Sequence, residues 1–245
     1  MLYVARNLVI ENSVELKIDY GSFEFKENFI SIIKGKSGIG KTTLLKVLGL
    51  LSWNISAESE ITLSLDGEKK SLNSLGWADS QKLREAYFTY ILQDDHLVDS
   101  ISVKDNILFP CFLLDKDAAS IQEKFNDLLK KPFLSPIIDK LDESCSILSG
   151  GEKKKVALLR AILKDPTILI ADEPWTNLGG NHHEGDVKDY TDFFIEQRKN
   201  KSTILATHDE DVIKKYGAYD FVKIFELVEK EDKGRLRILA IKPVN

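Results

Sequence analysis

Hydrophobic and polar positions alternate with a period of two over much of the first third of the chain, a pattern typical of half-buried β-strands. One helical stretch interrupts the alternation, at residues 41–51, where Leu44, Leu45, Leu48 and Leu51 would share one face. A glycine-rich loop joins this helix to the strand before it. The alternating stretches predict strands at residues 14–19, 22–26, 29–34, 61–67 and 87–92.

From residue 94 the pattern changes to the spacing of helices. Ile121, Phe125, Leu128 and Leu129 would lie on one helical face, and residues 94–147 are predicted to form an inserted helical subdomain. Beyond them helices and strands alternate, which indicates a mostly parallel sheet with helices on both faces. The predicted elements are helices at 152–163, 189–200 and 210–216, strands at 167–171 and 202–206, and a hairpin of 221–230 with 235–242.

Composition limits the classes of protein to consider. The 245 residues are 43% hydrophobic, and 34 basic against 39 acidic groups give a formal charge of -5. This acidic balance argues against a dedicated nucleic-acid binder, whose surface is basic. Cys111 and Cys145 are too few for a disulfide framework, so we expect small buried side chains in a reducing compartment. The sequence contains neither a secretion signal nor a run of about 18 apolar residues, so no membrane span is expected.

The glycine-rich loop, GKSGIGKTT, has the spacing of a phosphate-binding P-loop. Its glycines let successive backbone N–H groups face a polyphosphate, Lys41 reaches the outer phosphates, and Thr42 can ligate Mg²⁺. Its place between a strand and a helix favours this interpretation over an incidental glycine turn. The predicted phosphate-binding residues are Gly35, Lys36, Ser37, Gly38, Ile39, Gly40, Lys41, Thr42 and Thr43.

Two carboxylates end the apolar run TILIADEP, and open parallel sheets bind ligands at the carboxyl ends of their strands. Asp172 is predicted to hold the magnesium shell, and Glu173 to polarise the attacking water. Acidic residues also end strands as solvated turn formers, so the preceding P-loop is what favours the catalytic interpretation.

LSGGE, residues 148–152, precedes a predicted helix and has two compatible interpretations. Ser149 and Glu152 have the spacing of a capping box. Gly150 and Gly151 can each cost the helix up to about 1 kcal/mol relative to Ala, which capping does not require. They leave the helix N-terminus open to close approach of an anion, so we expect capping and phosphate recognition together.

The order of these motifs resembles the nucleotide-binding subunits of ATP-binding-cassette (ABC) transporters over nearly the whole chain. GKSGIGKTT, Gln93 in YILQDDHL, LSGGE, ILIADEP and His208 in LATHDED follow one another in the family's order. Two segments indicate a branch within the family. Their residues, YILQDDHLVDSISVKDNILFP and DEPWTNLG, look like the branch that serves lipoprotein release, macrolide export and cell division.

The resemblance implies an ATPase that binds ATP and Mg²⁺ and dimerises head to tail, as a homodimer or a heterodimer. Gln93 would contact Mg²⁺ and the attacking water, Ser149 and Gly151 the γ-phosphate in trans, and His208 would steady that phosphate in cis. An integral membrane permease would be the partner, with no nucleic acid involved. The chain would be cytoplasmic and peripheral at the inner face of the membrane.

Motifs and elements together predict an α/β fold in a single domain of residues 1–245. Residues 1–93 and 148–245 are expected to form a P-loop NTPase core with a mostly parallel sheet and an N-terminal antiparallel β-subdomain. Residues 94–147 are expected to form the helical subdomain.

The sequence departs from the family's pattern in three places. Trp175 and Thr176 replace a small pair after the proline, and Gly179 replaces the aspartate of a loop that contacts the opposing subunit. No aromatic residue falls near Asn12, where an adenine-stacking side chain is expected. We therefore expect weakened coupling between two ATP sites and an altered mode of adenine binding.

Several other features have simpler interpretations than a binding site. Tyr3 and Tyr20 could replace the stacking aromatic, although packing in the core is the expected role of each. The neighbouring His182 and His183 are expected to belong to a solvated loop rather than a metal site. The lysines at 153–155 are expected to form a solvated helix face.

Two other functions compete with a transport motor. A soluble ABC-type ATPase acting on DNA or ribosomes is disfavoured, because no long coiled-coil insertion and no second cassette is present in the sequence. A module that binds ATP with weak turnover gains support from Gly179, whereas Glu173 and His208 argue against it. A P-loop kinase would leave LSGGE without a purpose.

Overall fold

A computed structural model describes residues 1–11, 17–112, 114, 117–176, 178, 184–234 and 236–244, with only the backbone of 184–186. The chain forms two compact units. The first, here called the sheet unit, comprises Met1–Phe88, Ile168–Asp172 and Arg198–Asn245. The second, the helical unit, comprises Thr89–Thr167 and Glu173–Gln197.

Strands predominate up to residue 71, helices follow one another over residues 103–164, and helices and strands alternate over residues 150–232. The strands are β1 (Tyr3–Glu11), β2 (Lys17–Phe25), β3 (Ile30–Lys34), β4 (Glu60–Leu65), β5 (Glu68–Ser71), β6 (Phe88–Ile91), β7 (Ile168–Asp172), β8 (Ser202–Thr207), β9 (Val222–Asp232) and β10 (Leu236–Val244). The α-helices are α1 (Lys41–Leu48), α2 (Trp77–Tyr87), α3 (Val103–Phe112), α4 (Ala118–Leu129), α5 (Ser135–Ile138), α6 (Gly150–Lys164), α7 (Glu184–Arg198) and α8 (Glu210–Tyr216).

The sheet unit has a parallel core flanked by antiparallel strands. Its strand order is β5-β4-β1-β2-β10-β9-β3-β8-β7. β3 runs parallel to β8 and β9, and β7 runs parallel to β8. Every residue of β7 and β8 is buried, as expected of strands covered on both faces. The predicted α/β class, with a mostly parallel core and an N-terminal antiparallel part, is confirmed.

The antiparallel part differs from the sequence prediction in two ways. The strands predicted at 14–19 and 22–26 are one strand, β2, which passes through Gly21 at a φ of 67°. β1 was not predicted, because its register against β2 shifts on both sides of Leu8 and its burial alternation breaks at Arg6 and Asn7. A β-bulge of this kind adds unpaired residues and hides a period of two. Residues 14–16 lie outside the described part of the chain.

In the helical unit, α6 packs against α3, α4 and α5. Ile121, Phe125 and Leu128 are buried on α4 as the spacing predicted. Cys111 and Cys145 are buried and form no disulfide with each other, which confirms their expected packing role. The subdomain boundary at 94–147 stays a prediction. The helices among the described residues all lack the length and apolar character that a membrane span requires.

Candidate nucleotide-binding site

Three strands of the sheet unit end at one edge, and each leads into a predicted site residue. Lys34 at the end of β3 pairs with Thr207 of β8, and Asp172 at the end of β7 pairs with Ala206 of β8. The P-loop, Asp172 and His208 therefore lie next to one another at the ends of these three strands. This edge is where an open parallel sheet binds its ligand.

The P-loop has backbone conformations that only glycine adopts without strain. Gly38 has a φ of 72° and Gly40 a φ of 117°. Gly40 is the N-cap of α1 and makes no side-chain capping hydrogen bond. The first N–H groups of a helix have no intrahelical acceptor and carry the positive end of its dipole, so the start of α1 is suited to bind an anion.

Lys41, the first residue of α1, is only 7% exposed. Its Nζ donates to the carbonyl oxygens of Gly35, at 2.7 Å, and Lys36, at 3.2 Å. The ammonium group is thus folded back over the P-loop.

Thr42 and Asp172 come together at the end of β7. Thr42 Oγ1 donates to Asp172 Oδ2 at 2.5 Å, although 130 positions separate the two in sequence. Asp172 is 3% exposed. Hydroxyl and carboxylate oxygens suit Mg²⁺, which takes one or two protein carboxylates and completes its shell with phosphate and water. The residues present therefore fit the predicted ion.

Two side chains that the sequence analysis did not assign to the site hold the outer side of the P-loop. The Tyr20 hydroxyl donates to the Gly40 carbonyl at 2.7 Å, and Arg237 Nη1 donates to the Gly38 carbonyl at 3.0 Å. Arg237 also pairs with Glu229 at 2.6 Å. Because the C=O and the following N–H of a trans peptide point in opposite directions, these contacts turn the N–H groups of the next residues away from Tyr20 and Arg237.

Tyr3 and Tyr20 are both fully buried, which confirms their expected packing role and excludes adenine stacking by either ring in this conformation. Tyr3 donates to the Leu48 carbonyl at the end of α1. Burial raises the pKa of Tyr20 far above its ordinary value, with Arg237 opposing the shift, so its hydroxyl stays protonated. Asn12 lies outside the described residues.

Glu173 directly follows β7 and has a φ of 47°, in the left-handed region that side-chain-bearing residues seldom occupy. Such backbone strain clusters at functional sites. His208 directly follows β8 and is exposed. After it, Asp209 caps α8 by accepting from the N–H groups of Asp211 and Val212, each at 3.1 Å.

The LSGGE segment begins α6 with the predicted capping box. Ser149 Oγ accepts from the Glu152 N–H at 3.3 Å, and Glu152 Oε2 accepts from the Ser149 N–H at 2.8 Å. Burial alone would raise the pKa of Glu152, but hydrogen bonds from Lys140 and Ser149 outweigh it, and the pKa lies below its ordinary value. Ser149 and Gly150 are exposed, so the open helix start is accessible.

The interpretation of residues 153–155 as a solvated face is wrong. Lys154 is 1% exposed and Lys155 is 3% exposed. Lys154 reaches the backbone of Gln93, whose own side chain is exposed. Three adjacent lysines on a helix cannot all face solvent when that helix is packed on several sides, as α6 is.

The residues that depart from the family's pattern are only partly described. Trp175 is 4% exposed and contacts Phe194 edge to face, at 6.1 Å between ring centroids, so it packs in the core of the helical unit. Gly179, His182 and His183 lie outside the described residues. In the described part of the chain, no three His, Cys, Asp or Glu side chains form a metal-binding group.

The predicted site residues are distributed over both units. The sheet unit brings together the P-loop, Thr42, Asp172 and His208, whereas the helical unit holds Gln93, Ser149, Gly150, Gly151 and Glu173.

Solved structures similar to this chain are ATP-binding cassettes. The cassette MJ0796, determined as a dimer in a post-hydrolysis state with ADP and Pi, has a TM-score of 0.74 at 23% identity and covers 96% of this chain and 99% of its own. CbiO1 from Clostridium perfringens, part of the complex cbiONQ, has a TM-score of 0.69 at 24% identity, covering 92% and 84%. At 23% and 24% sequence identity, these two similarities establish the fold of this chain and nothing further.

Sequence comparison shows the family. The family model described as ABC transporter matches residues 18–176. The lipoprotein-releasing system ATP-binding protein LolD of Buchnera aphidicola subsp. Schizaphis graminum is 35% identical over 206 residues, 83% of this chain and 81% of that protein. LolD of Ehrlichia chaffeensis is 31% identical over 220 residues, 90% and 86%. The chain therefore belongs to the ABC transporter family, as an ATP-binding subunit that hydrolyses ATP.

Proposed function

We propose that the chain binds MgATP in its P-loop, closes on a second cassette around the nucleotide, and drives an integral membrane permease. The observation that carries the proposal is the convergence of Lys41, Thr42 and Asp172 at the carboxyl edge of the sheet. A flexible cation, a hydroxyl and a buried carboxylate, beside a helix start that can bind an anion, match the charge of a magnesium-bound polyphosphate.

Lys41 would exchange its two backbone acceptors for the outer phosphate oxygens. Thr42 and Asp172 would hold Mg²⁺, which lowers the negative charge that the attacking water meets. Tyr20 and Arg237 keep the Gly40 and Gly38 carbonyls on the outer side of the loop. The Lys41 N–H would then meet the phosphates directly, and the Ile39 N–H would exchange the Lys36 carbonyl, 3.3 Å away, for a phosphate oxygen.

Glu173 would orient the attacking water and accept its proton, a task that suits a carboxylate. His208 would steady the γ-phosphate from the end of β8, and Gln93 would contact the ion and the water. Ser149 and Gly151 would bind the γ-phosphate of the opposing subunit. The exposure of Ser149 at an open helix start supports this role in trans.

The curated relatives reported above support lipoprotein release as the transport class, rather than action on DNA or ribosomes. We infer that the chain lies at the inner face of a membrane through its permease. Residues 94–147 would be the helical subdomain of the cassette, and the two cassettes of the complex would be identical or different chains.

Calorimetry tests the nucleotide site. Lys41→Ala should abolish tight MgATP binding, because the loop's amides alone match the phosphate charge poorly. Lys46→Ala, which removes an exposed lysine from the same helix, is the matched control and should bind as the wild type does. Unchanged affinity in Lys41→Ala would refute the site. Co-purification of the chain with a multi-span membrane protein tests the partner.

A further inference from the structure

The segment that follows β6 is held by two cations of α6. Lys154 Nζ lies 3.1 Å from the Leu92 carbonyl oxygen, 3.0 Å from that of Gln93 and 2.9 Å from Asp95 Oδ1. Arg160 donates to the carbonyls of Asp95, at 2.6 Å, and His96, at 3.0 Å. All six residues belong to the helical unit.

The side chain of Lys154 is enclosed by protein and paired with an opposite charge. Its side chain is 2% exposed, and that of Asp95 is 13% exposed. An ammonium group has three N–H donors, and here three oxygens lie within reach of them. A buried cation is tolerated when it is paired and hydrogen-bonded, and Asp95 supplies the opposite charge.

The same helix begins at the LSGGE segment, with Ser149 as its N-cap. Lys154 follows Ser149 by five positions, little more than one helical turn. The backbone of Gln93 is therefore attached to the first two turns of the helix that presents the trans phosphate-binding residues.

We propose that Lys154 is a positioning residue that fixes Gln93 to the start of α6, so that Gln93 and the LSGGE segment move as one body. The inference rests on the proposed role of Gln93 in ATP hydrolysis. A displacement of the LSGGE segment on dimer closure then carries Gln93 with it. Lys154 itself contacts neither the nucleotide nor the ion, and acts through the Gln93 backbone.

Steady-state ATP hydrolysis by the full chain tests the proposal. Lys154→Met keeps the length and apolar stem of the side chain but removes its donors, and should lower kcat by about 10- to 100-fold, as small displacements of catalytic groups do. The KM for ATP should stay within about twofold, because the P-loop is untouched. Lys154→Arg should restore much of kcat, and the neighbouring Lys153→Met is the matched control with wild-type kcat.

A second background separates positioning from general stability. In a Gln93→Ala chain, Lys154→Met should lower kcat by less than about twofold further, since the group it positions is gone. An equal loss in both backgrounds would overturn the proposal. Lys154→Met combined with Asp95→Asn leaves no unpaired buried charge. If Lys154→Met alone melts below the assay temperature, this double variant is measured in its place.

The proposed role of Gln93 and the positioning role of Lys154 can be refuted separately. Wild-type kcat in Gln93→Ala would overturn the proposed role of Gln93, and this inference with it. A lowered kcat in Gln93→Ala together with wild-type kcat in Lys154→Met would overturn only the positioning role.

Discussion

Thr42 and Asp172 are in hydrogen-bond contact at 2.5 Å, which joins the first turn of α1 to the last residue of β7. The contact lies entirely within the sheet unit. The parallel core itself thus places two side-chain oxygens together, as the proposed magnesium site requires.

Asp172→Asn should weaken ATP binding in excess Mg²⁺ by at least the 10- to 100-fold that follows loss of an outer-shell partner at other metal sites. Affinity in EDTA should change little, because the P-loop contacts remain. Thr42→Ser keeps the hydroxyl and is the control, with binding close to wild type. Calorimetry with and without Mg²⁺ makes the comparison, and an equal loss under both conditions would contradict a role at the ion.

Glu173→Gln should keep ATP binding but lower turnover by about 10²- to 10⁴-fold, because an amide cannot accept the proton from water. Unable to hydrolyse ATP, the variant should accumulate as an ATP-bound dimer. Phosphate release measures the first effect, and light scattering with ATP measures the second. Near-wild-type turnover would remove Glu173 from the mechanism.

Tyr20→Phe should cost about 1 kcal/mol of folding stability, since the half-buried Gly40 carbonyl loses one of its two hydrogen bonds and keeps that from the Leu44 N–H. It should also weaken ATP binding by up to about fivefold, the equivalent of that energy. Tyr3→Phe removes a comparable buried hydroxyl that donates outside the P-loop, to Leu48. That control should lower the melting temperature without changing ATP affinity. Equal ATP affinity in both variants would argue that the P-loop does not depend on Tyr20.

Glu152 should make stability depend on pH. Its folded-state pKa is depressed, so the ionised form is stabilised by folding. This contribution is fully present above the unfolded pKa of about 4.3 and is lost as the pH falls through the lower folded value. The difference in melting temperature between wild type and Glu152→Gln should therefore shrink on acidification from neutral pH to below that range. A difference independent of pH would show that the carboxylate's charge is not what stabilises the helix start.

The sequence predicted the parts of the site that depend on neighbouring residues. The P-loop and the capping box of Ser149 and Glu152 are local patterns whose spacing sets their geometry. The strand ends at Asp172 and His208 could also be located, because apolar runs identify buried parallel strands.

Long-range contacts could not be predicted in this way. Arg237 reaches Gly38 from 199 positions away, and no local pattern distinguishes it from other residues of the β9–β10 hairpin. The prediction for Lys154 is wrong because a run of lysines on a helix usually faces water. Only the packing of α6 on several sides reveals that one of them is enclosed.

The contacts of Tyr20 and Arg237 have a consequence for the entropy of nucleotide capture. Both tie the P-loop to strands of the sheet unit through the chain's own groups, so the loop is ordered by folding itself. The chain therefore loses the loop's conformational entropy when it folds, and a smaller entropy loss opposes ATP binding. Arg237 lies on β10, which pairs with β2, the strand that carries Tyr20. Loosening these two strands should therefore release the loop and weaken ATP capture well before the sheet unfolds.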